Sequence, residues 1–207
     1  MKPICDALIF LERRLNVWLV ASFVLLSNVW WTVVLQALNR QFIALSGYAL
    51  PDLQNGTFAP RITLEGFLNQ LSSYNNAARG FYWTFFVLDN IVPVVAFAPF
   101  ALLWIYFLRS SPNRLYRVLL ASPFILIPLG IGLFDWWENL FYAAAIQNGS
   151  APQTGTLIQA GFAFGFIKGL CVQATFFLTG PMLIYHLFTR LQRALKRPLP
   201  SKASSNA

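Results

Sequence analysis

Charge is what this sequence has least of. Charged residues make up 11% of the 207 positions while 57% are hydrophobic. A soluble domain of ordinary composition has about 25% charged residues to cover its surface, and too little polar material is present here to do so. Histidine occurs once and cysteine twice. Cys5 lies near the start and Cys171 inside an apolar run, at different depths or in different compartments, so a disulfide between them is not expected. Neither cysteine has a histidine or carboxylate at ligand spacing, and His186 stands alone in the sequence, which leaves no zinc site of the usual kind. No residue set calls for a metal or another cofactor.

Long apolar runs are present instead. They fall at about 17–38, 81–108, 115–146 and 156–188, each at or above the roughly 20 residues needed to cross a bilayer core. The expected fold class is therefore all-α: a membrane protein built as an antiparallel four-helix transmembrane bundle. The first run is too long for a signal-peptide core and leads into Asn39-Arg40 rather than a small-residue cleavage site. Prolines 93 and 99 are expected to kink the second span, and Pro123, Pro128, Gly130 and Gly132 to soften the third. The outer loop, 39–80, has turn signals at Ser46-Gly47 and Asn55-Gly56-Thr57. It also holds an amphipathic helix, capped by Thr63, with Leu64, Phe67, Leu68 and Leu71 on one face. That face either dips into the membrane surface or packs on the ends of the spans. Residues 190–207 form a basic tail rich in Ser and Pro, expected to be disordered.

The net charge of +8 comes from basic residues that flank the apolar runs: Arg13 and Arg14, then Arg109, Arg114 and Arg117, then Arg190, Arg193, Lys196 and Arg197. This is a topology signal rather than a nucleic-acid footprint, which would need a stripe with stacking aromatics. The positive-inside rule places both termini in the cytoplasm, and a bacterial inner membrane is the favoured setting. The paired tryptophans 30–31 and 136–137, with Tyr82-Trp83, fit an aromatic belt at the outer interface. Sequons at Asn55 and Asn148 fall in outer loops, where Asn-Gly also simply makes a good turn.

Ionisable residues inside the spans are few: Asp89, Asp135, Glu138 and Lys168. Each costs about 2.5–3.5 kcal/mol at a helix centre, so such residues face a bundle interior or water. Counting helix rise, Asp89 lies about 13 Å inward from Gly80, Glu138 and Asp135 about 12 and 16 Å from Ile146, and Lys168 about 18 Å from Thr156. All four reach one level in the outer half. Asp135, Glu138 and Asn139, extended by Tyr142, share one helix face. Gly161, Gly165 and Gly169 form a small-residue ridge beside Lys168 that lets helices approach closely. Asn28 can add a hydrogen bond, and Arg79 and Tyr82 stand at the outer mouth of the second span. Three carboxyls against one lysine require that a carboxyl hold a proton or that a cation complete the set.

Several functions fit this pattern. A ligand or transport site would use Asp89, Asp135, Glu138, Asn139, Lys168, Arg79 and Tyr82 to hold a small amphiphilic or cationic group. An intramembrane enzyme acting on a lipid-like substrate would use Asp135 or Glu138 as general acid and another carboxyl, such as Asp89, as base. An assembly subunit would dock a second copy or a partner helix on Gly161, Gly165 and Gly169. In a purely structural reading the polar cluster only fixes helix packing. Membrane lipids are expected partners; nucleic acid is not.

The stretch Phe134-Asp135-Trp136-Trp137-Glu138-Asn139-Leu140, with Arg79-Gly80-Phe81-Tyr82 and Leu88-Asp89-Asn90-Ile91-Val92-Pro93 upstream, resembles an uncharacterised family of small bacterial four-span integral membrane proteins. That family has an acidic residue before a proline in span two and an Asp-x-x-Glu-Asn motif in span three. The resemblance covers about residues 60–145 and implies a shared acidic site without naming its chemistry. By distant analogy the chain is also similar to the sterol isomerase and sigma-2-receptor-like fold, which places carboxyls in a membrane cavity. It lacks the histidine that such isomerases carry on their second span.

Overall fold

The computed structural model describes residues 2–54, 62–111, 113–149 and 151–195, and among them the chain is helical with no strand. Helix α1 spans Lys2–Arg14, α2 Val17–Ser46, α3 Pro51–Gln54, α4 Leu64–Ser73, α5 Asn76–Ser110, α6 Arg114–Leu120, α7 Ile127–Asn148 and α8 Thr154–Leu195. A short 3-10 turn, Pro123–Leu126, leads into α7. Four of these units are long and apolar enough to cross a membrane: Val17–Ser46, Asn76–Ser110, Pro123–Asn148 and Thr154–Arg193.

The boundaries follow local chemistry. Asn16, Thr63, Asn75 and Asn113 each accept a backbone N–H of the first helical turn, at α2, α4, α5 and α6. Helix α2 ends where Gly47 takes a φ of +78° and donates to the Ile43 carbonyl, a left-handed cap that suits glycine.

Span limits differ from the hydropathy reading in several places. The apolar run at 115–146 is not one span. It breaks at Ala121-Ser122, because Ser122 accepts from Phe124 N–H and Pro123 takes the first position of a new helical segment. The first span, α2, continues eight residues past the expected limit at Leu38, to Ser46. The fourth runs on to Leu195, so the first part of the expected tail is helical. Helix assignment also continues through positions 93 and 99 of α5. The sequence features at 55–61, including the first sequon and Arg61, lie outside the described residues, as does 196–207. Asn148 is the last residue of α7 and donates to the Ala144 carbonyl, while Ser150 of its sequon is outside the described residues.

Helix α7 packs along α8 on one side and α5 on another, and α5 in turn carries α2 and the short α1. Two buried apolar clusters result. One joins Phe42, Phe67, Leu71, Phe85, Tyr142 and Ile158 near α4. There Phe67 and Leu71 are buried and Leu64 and Leu68 pack against the same cluster, so this face of α4 rests on the ends of the long helices. The second cluster centres on Trp104, with Phe100, Leu108, Ile125 and Met182 around it. In contrast, α2 leaves Trp18, Leu19, Phe23, Leu26, Val29 and Trp30 exposed, a contiguous apolar surface suited to hydrocarbon rather than water.

Candidate functional site

Asp89, Asp135, Glu138, Asn139 and Lys168 converge from α5, α7 and α8 into one polar cluster. On α7 the spacing of 135, 138 and 139 puts two carboxyls and an amide on one face, and all three residues are buried. Asp89 comes across from α5 and is equally inaccessible. The Asn139 amide nitrogen donates to Asp89 Oδ2 at 2.6 Å and to Asp135 Oδ2 at 3.1 Å, which uses both of its protons. Lys168 Nζ donates to Asp135 Oδ1 at 2.9 Å and also pairs with Glu138 Oε2. Asn139 thus joins two carboxyls through an amide, and Lys168 joins two through a charge; Asp135 is the member they share.

Burial is uneven across the cluster. The Glu138 side chain is fully buried and that of Asp135 is 9% exposed, whereas the Lys168 side chain is 20% exposed. Lysine is the rim of the site. Three carboxyls and one ammonium thus share a low-dielectric setting, where unbalanced charge is costly.

The glycine ridge explains how α8 comes near enough for Lys168 to reach. Gly161, Gly165 and Gly169 are all buried, and a Cβ on Gly161 would lie 2.8 Å from Tyr142 Cδ1 and collide with the ring edge. At Gly161 the ridge therefore packs on α7 of the same chain.

Beside the cluster stands an aromatic wall. Phe134, Trp137 and Phe141 share the adjoining stripe of α7, and their rings lie 6.2, 5.9 and 5.4 Å from Phe164 of α8, all near-parallel to it. Phe164 is one helical turn before Lys168. Trp136 points elsewhere and donates its indole N–H to the Asn90 carbonyl at 2.7 Å, tying α7 to α5.

Two expected members do other work. Arg79 donates to the carbonyls of Tyr74, Leu71 and Ile146 at 3.2, 3.3 and 3.1 Å. It thus closes the C-terminal ends of α4 and α7, where free carbonyls favour a cation. Asn28 donates to Val24 of its own helix at 2.8 Å. Tyr82 is fully buried among Phe42 and Phe85, on α5 two turns before Asp89. No group of three or more His, Cys, Asp or Glu side chains is arranged to hold a metal ion among the described residues, and both cysteines are free.

Sequence reasoning left one polar region unread, at the opposite end of α5 and α8. His186 Nδ1 lies 2.9 Å from Ser110 Oγ, its ring packs on Tyr106 and Phe107, and Arg190 donates to the Tyr106 hydroxyl at 2.6 Å. Nearby, Glu12 of α1 pairs with Arg109 at 2.7 Å. Burial pushes the Glu12 carboxyl above its usual value, against the pull of Arg109 and Arg13. A lone histidine shows no partner in sequence until the facing helix is known.

Comparison with protein-family models, curated proteins and solved structures finds no match for the chain.

Proposed function

We propose that the chain is an antiparallel four-span bundle of the bacterial inner membrane, with both termini in the cytoplasm and amphipathic α4 closing its outer face. In this reading the Asp89, Asp135, Glu138 and Asn139 cluster binds a small cationic or amphiphilic ligand in the outer half of the bilayer. The observation that carries it is the shared ammonium: Lys168 pairs with both Asp135 and Glu138, while Asp89 is held through an amide. A ligand ammonium entering the cluster adds positive charge to a set of three carboxyls. Lysine is suited to give way to it, as its flexible stem lets the head group swing out.

The aromatic wall suits the same class of ligand. Ring faces attract a cation, by about 0.5–2 kcal/mol depending on desolvation, and Phe134, Trp137, Phe141 and Phe164 offer an apolar track one turn from Lys168. A hydrocarbon tail then lies along the rings while the ammonium reaches the carboxylates.

Titration calorimetry of the purified chain in nanodiscs with a long-chain primary alkylammonium, against the neutral alcohol of equal length, tests this. The expected result is saturable binding of the amine only, weakened at least about ten-fold in Glu138→Gln, where ~1.4 kcal/mol of charge interaction is lost. Amine binding should tighten in Lys168→Met, where the competing ammonium is gone. Equal binding of alcohol and amine, or no response to either substitution, removes the proposal.

A further inference from the structure

At the end of the bundle away from the carboxylate cluster, α2, α5 and α8 enclose a cavity of about 120 Å³. Its walls are apolar, with Ala21, Leu103, Phe107, Leu183 and Leu187 among the lining residues. Its upper limit is Thr179 and its lower rim is Tyr106, His186 and Arg190. The lining of α8 from Thr179 to Arg190 spans about 16 Å of helix rise. The cavity is thus a slot parallel to the spans, apolar along its length and cationic at one end.

The geometry points to a binding site for one anionic phospholipid, with the upper part of an acyl chain in the slot and the phosphate at Arg190. The polar and charged groups around the rim support that occupant. Arg190 is exposed, yet its guanidinium is positioned by the 2.6 Å bond to Tyr106, which leaves further N–H groups for a phosphate. The Tyr106 oxygen accepts from Arg190, so its own proton can be donated to the same phosphate oxygen.

The His186 ring is fixed in the wall: its Nδ1 lies 2.9 Å from Ser110 Oγ, which also lies 3.2 Å from the Phe107 carbonyl. Glu12, which lines a neighbouring pocket with Tyr106, is engaged by Arg109 and does not oppose an anion there. Arg193, one turn beyond Arg190, and Arg13 and Arg14 at the end of α1 add to the positive field at this level. Trp18, also in the lining, is exposed at the first turn of α2, where an indole anchors at a membrane interface.

This site is separate from the carboxylate cluster and takes a ligand of opposite charge, so either can fail without the other. The test is native mass spectrometry of the full chain released from mixed micelles of phosphatidylglycerol and phosphatidylcholine with identical acyl chains. The expected result is one retained phosphatidylglycerol per chain in preference to phosphatidylcholine. In Arg190→Ala that preference falls about five-fold, the equivalent of ~1 kcal/mol for one basic residue near the headgroups. Arg190→Lys keeps most of it, and Arg114→Ala on exposed α6 leaves it unchanged. Leu183→Trp, which fills the slot, lowers retention of both lipids. Millimolar inorganic phosphate should not displace the lipid, because the slot recognises the chain as well as the charge. Equal retention of the two lipids by the unaltered chain overturns the site. So does an Arg114→Ala loss as large as that of Arg190→Ala, which would mark a diffuse basic collar, or displacement by phosphate alone.

Discussion

Two ion-paired sites in this chain place similar chemistry in different surroundings. Glu12 and Arg109 meet at 2.7 Å near the end of α5, where the arginine side chain is 40% exposed and can still be hydrated. Lys168 meets Asp135 and Glu138 between α7 and α8, where the glutamate is fully buried. The first site needs little beyond the pair itself. The second needs a lysine, an amide and a ridge of glycines to bring two helices into contact. Charge at a helix end can be settled locally, whereas charge at mid-helix has to be settled by the fold.

That contrast can be tested by removing its supports one at a time, with thermal unfolding in detergent as the common measure. Lys168→Met should cost the most, about 3–5 kcal/mol, because it takes the ammonium away from buried carboxylates. A second change, Asp135→Asn, should recover part of that loss. Asn139→Ala should cost about 3 kcal/mol, since two carboxyls lose a donor at once. Gly161→Ala should cost about 2 kcal/mol by forcing a methyl into the Tyr142 ring, and adding Tyr142→Ala should relieve the clash. Arg109→Ala should cost least, about 1 kcal/mol, because the arginine side chain is 40% exposed and already hydrated.

The Glu12 pair also predicts a sign with pH. Its carboxyl is raised from 4.5 by burial, so the folded chain holds that proton more tightly than the unfolded chain. The stability this contributes is fully present below pH 4.5 and is lost as pH rises through the folded value. Glu12→Gln should abolish that slope and Arg109→Ala should steepen it, since Arg109 opposes the rise.

The acidic stripe on α7 is legible in the sequence, because helical spacing by itself aligns Asp135, Glu138 and Asn139. Lys168 is legible too, through the glycines beside it and a count of helix rise. Arg79 is not. Its charge makes it a natural partner for the acids, but the carbonyl ends of α4 and α7 compete for the same guanidinium and hold it. The break before α7 is written as Ser122-Pro123, yet hydropathy runs straight across it, and an average over apolar residues hides a cap. The availability of the glycine ridge is illegible for another reason: spacing says that something packs there, not whether it belongs to the same chain. The His186 region stays hidden because its partners, Ser110 and Tyr106, sit about eighty residues away on another helix.

A double-mutant cycle between Lys168→Met and Glu138→Gln, read as unfolding free energy in one detergent, tests the central claim most directly. A shared buried site predicts a coupling above about 1 kcal/mol, against less than ~0.5 kcal/mol for the same lysine change combined with Glu12→Gln at the far pair. Additivity in both cycles would mean that Lys168 and Glu138 do not share a buried site, and the proposed ligand chemistry would lose its basis.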